Sequence, residues 1–178
     1  MLSESTSFAQ LQQWAANRDK FVETVPASSW PRLAALQTGA ETPSALRVTL
    51  RFRESPYGPE LRGHVAGDLR LECQRCLRAV GHVVDLPLQL LCLFEEQELD
   101  ALPAAEQRFD SIVVGGDGVR LVAVIEDEVL ASLPLAPKHT DADVCGLVQH
   151  EAPLADETVR PFAGLAELMG STEGKGSS

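Results

Sequence analysis

Alternation of apolar and polar residues dominates the first half of the chain, and it is clearest at residues 45–53. There Leu46, Val48, Leu50 and Phe52 fall on one side and Arg47, Thr49, Arg51 and Arg53 on the other, the period-two pattern of a strand with one buried face. Residues 62–73 repeat it through Val65, Leu69, Leu71 and Cys73, and the intervening SPYGPE, residues 55–60, has turn chemistry. Together they predict an antiparallel hairpin. Residues 80–94 alternate again through Val80, Val84, Leu86, Leu88, Leu90, Cys92 and Phe94, and a shorter alternation covers residues 20–25 before Pro26.

Helical spacing appears elsewhere. Phe8, Leu11, Trp14 and Ala15 follow Ser and Thr residues able to cap a first turn, which predicts a short N-terminal helix over residues 6–16. Residues 29–36 read as a helical turn with Ser29 as cap and Pro31 early. Residues 120–133 place apolar side chains at 121, 122, 124, 125, 129, 130 and 133 and stop at Pro134, which predicts one well-defined helix. Residues 95–110 are acidic, with alanines and a proline, and predict an exposed loop with little core content. A short strand at 111–114, a short helix near 162–169 and a disordered tail at 170–178 complete the expectation. The fold class is α+β: one domain over residues 1–169, built on a mainly antiparallel sheet or partly open barrel with a CxxC turn.

Composition supports a folded chain, since 44% hydrophobic residues in 178 can fill one core and 23% charged residues is ordinary for a globular protein. The N-terminal MLSESTSF has no basic region followed by an apolar core, so no signal peptide is expected, and the longest nearly apolar run, residues 86–94, is too short for a bilayer. A cytoplasmic protein with no membrane partner is expected. Four irregularly spaced cysteines fit thiols or metal ligands in a reducing compartment better than disulfides. The net charge of −11 is uneven: residues 1–91 carry 10 Lys and Arg against 9 Asp and Glu, and residues 92–178 carry 5 against 17. Phosphate binding is driven by cations, so this charge argues against unassisted binding to nucleic acid.

Cys73 and Cys76, a CxxC between two strands, supply half of a tetrahedral zinc site. The second half is His139 with Cys145, or Cys92, which lies at a zinc-ribbon distance from Cys76 but has Glu95 where a fourth cysteine would stand. Cys92 sits on an apolar strand face, as small buried cysteines do, so the set Cys73, Cys76, His139 and Cys145 is preferred. The same residues also read as a core cysteine, a surface thiol and two unrelated loop residues. Thioredoxin-like redox chemistry needs a helix after the CxxC, and here a strand follows.

Arg47, Arg51, Arg53, Arg70, Arg75 and Arg78 lie on or near neighbouring strands and read as a basic face for RNA or an acidic partner, or as an ordinary solvated face. Glu126, Asp127 and Glu128 fan around a helix axis and cannot converge on one ion; they suit contact with a basic protein. There is no GxxxxGK[ST], GxSxG or HExxH, and His64, His82, His139 and His150 have no evident nucleophile beside them. Neither an enzyme nor a small-molecule substrate is expected.

Two stretches, LECQRC at residues 71–76 and VIEDEVLASLPLAPKH at 124–139 followed by Cys145, together resemble the YceD family of bacteria and plastids, the large ribosomal RNA subunit accumulation proteins. Looser likeness runs from about residue 19 to 162. The resemblance implies a non-catalytic part in the accumulation or processing of large-subunit ribosomal RNA, with a large-subunit precursor, its RNA or a basic ribosomal protein as partner. An acidic chaperone for one basic ribosomal protein and a CxxC thiol oxidoreductase are the alternatives. Some relatives carry a second cysteine group just after the LPLxP segment, which would complete a zinc site; this chain has His139 and Cys145 there.

Overall fold

A computed structural model describes residues 4–39, 44–104, 110–141 and 144–145, all within the unit Met1–Cys145. The expected helix near 162–169 and the tail at 170–178 lie outside them. In chain order the elements are β1 (Ser5–Thr6), α1 (Phe8–Asn17), β2 (Lys20–Pro26), α2 (Pro31–Leu36), β3 (Ala45–Ser55), β4 (Gly58–Glu72), β5 (Ala79–Leu93), α3 (Gln97–Asp100), β6 (Asp110–Val113), β7 (Val119–Arg120) and α4 (Leu121–Ser132). A 3-10 turn, Ala27–Ser29, precedes α2.

Five strands form one sheet in the order β2-β3-β4-β5-β6, and β1 pairs separately with β7. Every pair in the larger sheet is antiparallel except β5 with β6, which is parallel. The sheet is mixed and open, with β2 and β6 as its edges: of the two expected forms it is the mainly antiparallel sheet, and the partly open barrel is corrected. Its apolar face is covered by helices, and no closure is needed to bury it. Leu11 and Ala15 of α1, Trp30 and Leu33 at α2, and Leu121, Ile125 and Val129 of α4 share one core with Leu46, Val48, Leu50, Phe52, Val65, Leu69, Leu88 and Leu90. Trp14, Phe21 and Phe52, with ring centroids 5.0–5.7 Å apart, join α1 to β2 and β3.

Local chemistry explains the boundaries. Ser7 caps α1 by accepting from Gln10 N–H at 3.3 Å, and Arg18 closes the helix in the left-handed region at φ 56°. The strands of the hairpin run further into SPYGPE than its composition predicts, because Ser55 pairs with Gly58. Only Pro56 and Tyr57 remain as the turn. Within the expected acidic loop, α3 forms, and Leu102 packs with Leu91, Leu93 and Leu99 into a second, smaller cluster. That stretch therefore has core content, supplied by two leucines, Leu99 and Leu102, that its acidic composition obscured. Residues 105–109 of the loop lie outside the described residues. No helix among the described residues is long and apolar enough to cross a membrane.

Candidate metal centre and charged surfaces

Cys73 follows the last residue of β4, and residues 74–76 turn the chain toward β5. The turn is pinned by Cys73 N–H donating to Arg78 O at 2.9 Å and Leu77 N–H donating to Cys73 O at 2.8 Å, with Leu77 in the left-handed region at φ 58°. A leucine adopts that conformation only where its surroundings enforce it. After α4, Pro134 ends the helix and the chain returns beside this turn, where Gln74 N–H donates to Pro137 O at 2.8 Å. This return delivers His139 and Cys145.

The ligand atoms of Cys73, Cys76, His139 and Cys145 all lie within 4.8 Å of one another. Cys73 Sγ and Cys145 Sγ are 3.6 Å apart, and His139 Nδ1 lies 3.6 Å from Cys76 Sγ and 3.4 Å from Cys145 Sγ. A tetrahedron with zinc–sulfur bonds of about 2.3 Å and zinc–nitrogen bonds of about 2.0 Å has S···S edges of about 3.8 Å and S···N edges of about 3.6 Å. The three distances lie within about 0.2 Å of those edges, and no pair of the four exceeds 4.8 Å, so the cluster could hold a zinc-sized ion. The imidazole is also correctly posed: Nε2 lies 3.1 Å from the Ala79 carbonyl, which can only accept. Nε2 therefore carries the proton, and the Nδ1 lone pair faces the sulfurs.

Electrostatics favour thiolate at the turn. Burial opposes ionisation of Cys73, but the backbone N–H groups of Arg75, His139 and Cys76 outweigh it and hold the thiol at about 5. Cys76 is lowered too, chiefly by the Arg78 backbone N–H. Burial pushes Cys145 up, and hydrogen bonding to Cys73 raises His139. Cys92 is absent from the cluster, and burial pushes its thiol up to about 12, which marks a core residue rather than a ligand.

The six arginines separate into two groups. Arg75 donates to His139 O at 3.3 Å and Arg78 donates to Val144 O, so both brace the segment carrying His139 and Cys145. Arg47, Arg51, Arg53 and Arg70 stay exposed on the sheet face opposite the core. The acidic triplet divides as well. Glu126 is only 4% exposed, and its Oε1 accepts the backbone N–H groups of Arg32 at 2.8 Å and Leu33 at 3.0 Å. Its Oε2 accepts from the Arg32 guanidinium at 3.1 and 3.2 Å. Glu126 thus caps α2 from another helix and is corrected as a surface for a basic protein. Asp127 pairs with Arg32 from the exposed side. Glu128 is half-buried, and desolvation, then Asp110 and Asp127, raises its pKa.

Sequence spacing missed this capping role, although Glu126 lies four residues from both Val122 and Leu130 and so on the apolar stripe. It also missed Lys20 and Arg62, which the strand register places beside Arg51.

A family model, Large ribosomal RNA subunit accumulation protein YceD, matches residues 61–169. The chain is also 28% identical over 160 residues to the Large ribosomal RNA subunit accumulation protein YceD of Haemophilus influenzae, covering 86% of this chain and 90% of that protein. No solved structure matches significantly. The span matched by the family model contains the CxxC turn, the helix α4 and both later members of the cluster, and the chain belongs to the YceD family.

Proposed function

We infer that this protein supports the accumulation of large-subunit ribosomal RNA, and thereby large-subunit assembly, as a non-catalytic factor. The role in RNA accumulation comes from the name of its Haemophilus influenzae relative. The observation that supports the non-catalytic reading is the donor set: three sulfurs and one imidazole nitrogen lie within 4.8 Å of one another, enough to supply all four ligands of a tetrahedral ion. Structural zinc sites take four protein ligands, whereas catalytic ones leave a position for water or substrate. Zinc bound there would supply a cross-link. Cys73 and Cys76 would fix the β4–β5 turn, and His139 and Cys145 would fasten the chain after α4 to it, with Arg75 and Arg78 holding the carbonyls between.

Removing the protein from cells tests the reading. The ratio of large-subunit to small-subunit ribosomal RNA should fall and recover on complementation with the intact chain. An unchanged ratio overturns it.

A further inference from the structure

The sheet face turned away from α1, α2 and α4, covered among the described residues only at its β5 end by Leu99 and Leu102 against Leu91 and Leu93, carries an arrangement that folding alone does not explain. Register puts Lys20 opposite Arg51, Arg51 opposite Arg62, and Arg62 opposite Gln89. Three cations therefore lie in one row across three strands, with a neutral amide at the end. Like charges directly opposite in a sheet repel and weaken pairing. The next row is Val22, Thr49, His64 and Pro87, and the one after it Thr24, Arg47, Ala66 and Asp85. Across these rows Asp85 is the one carboxylate, and it is engaged by His64 at 2.6 Å.

Beyond the cationic row, Glu60 accepts from Arg62 at 2.7 Å and Gln89 at 2.8 Å and pairs with Arg53 at 3.5 Å. One carboxylate thus pairs with Arg62 of the row and with Arg53, and reaches neither Arg51 nor Lys20. A cleft of about 440 Å3 opens beside it, lined by Arg18, Arg51, Phe52, Arg53 and Glu54. Arg51 and Lys20 have no ion pair among the described residues. In a chain of net charge −11, such a concentration marks where an anion is met and where the rest of the surface turns it away.

We propose that the outer face of β2, β3 and β4 binds the sugar–phosphate backbone of folded RNA, with Lys20, Arg51 and Arg62 as its leading row. The choice of RNA over another polyanion rests on the proposed function. The face itself selects the mode. Its other side chains in these rows are short or flat, Thr24, Thr49, Ala66 and Pro87 among them, so the long cationic side chains stand proud of it. No aromatic side chain lies in these three rows, and unpaired bases are gripped mainly by aromatic stacking. Backbone contact, indifferent to base sequence, is what remains.

The test is binding of the full chain to a 20-base-pair RNA hairpin over a range of salt, for the native protein, the variant K20Q/R51Q/R62Q, Arg51→Gln alone and Arg120→Gln as control. Each phosphate contact contributes on the order of 0.7–0.9 to the slope of log affinity against log salt. The triple variant should lose about 100-fold in affinity near 0.1 M salt and about 2–3 in slope, and Arg51→Gln about 5-fold. Arg120→Gln should bind as the native protein does. Because Arg62→Gln also takes a partner from the buried Glu60, K20Q/R51Q is measured beside the triple variant; it leaves that pair intact, should melt no lower than native, and should lose about 25-fold in affinity. Unchanged RNA binding in the triple variant overturns the proposal, as does loss of binding only with loss of the fold. Equal binding to poly-glutamate, lost in the same variant, overturns it in favour of an acidic protein. A hairpin result as expected, with a normal ribosomal RNA ratio in cells lacking the protein, would sink the proposed function and leave this surface standing.

Discussion

Replacing Glu126 with alanine removes a carboxylate from the interior and leaves its donors behind. Its Oε1 takes the backbone N–H groups of Arg32 and Leu33 at 2.8 and 3.0 Å, and α2, only six residues long, has no side-chain cap of its own. A buried donor stripped of its acceptor costs about 1–3 kcal/mol. The Leu33 N–H is buried and the Arg32 N–H partly so; together they come to about 3 kcal/mol. The guanidinium of Arg32 is half-exposed, so its ion pairs with Glu126 and Asp127 add little to that loss. At this chain length, about 3 kcal/mol lowers Tm by roughly 6–12 °C. Glu126→Gln keeps one oxygen for the two N–H groups and should lose about half as much. Thermal melts of the two variants beside the native protein decide the matter. A Glu126→Ala variant melting within about 2 °C of native would refute the capping role, and one equal to Glu126→Gln would show that charge, not the acceptor, carries the effect.

Three further outcomes follow from the packing. Cys92, buried and held at about 12, has a folded pKa above its ordinary 9.0. Its contribution to stability is therefore complete below about 9 and is lost as pH rises toward 12. Urea midpoints should fall over that window in the native protein and more gently in Cys92→Ala; parallel curves would disprove the burial. Gly58→Ala should destabilise by about 2–3 kcal/mol in the same assay, because Gly58 sits at φ 143° and a Cβ there would come within 2.3 Å of Cys92 O; a loss below about 0.5 kcal/mol would contradict the close approach. Asp127→Ala, which removes only the exposed partner of Arg32, should change stability by less than about 1 kcal/mol; a larger loss would move the α2 anchor from Glu126 to Asp127.

Much of this fold is visible in one dimension because its core-forming patterns are local. The alternation at residues 45–53 and 80–94 is set by burial of one sheet face, and the apolar spacing at 120–133 by burial of one helix stripe, so each emerges close to its observed bounds. The grouping of Cys73, Cys76, His139 and Cys145 is legible for another reason: sulfur and imidazole donors are few in this chain, and these four sit in loops beside long elements. What spacing cannot show is pairing. The row Lys20, Arg51 and Arg62 exists only through the register of three strands, and the parallel placement of β6 depends on a crossover whose acidic composition says nothing of direction. Glu126 was misread because three consecutive acids suggest a solvated face, whereas its neighbours on the helix surface are apolar.

The closed Cys3His centre is tested most directly by metal content. Protein without an affinity tag, purified without chelator, should carry one zinc ion per chain by native mass spectrometry, and Cys73→Ser or Cys145→Ser should carry none. A metal-free native chain whose Cys73, Cys76 and Cys145 thiols all react freely under folding conditions with zinc present would contradict it.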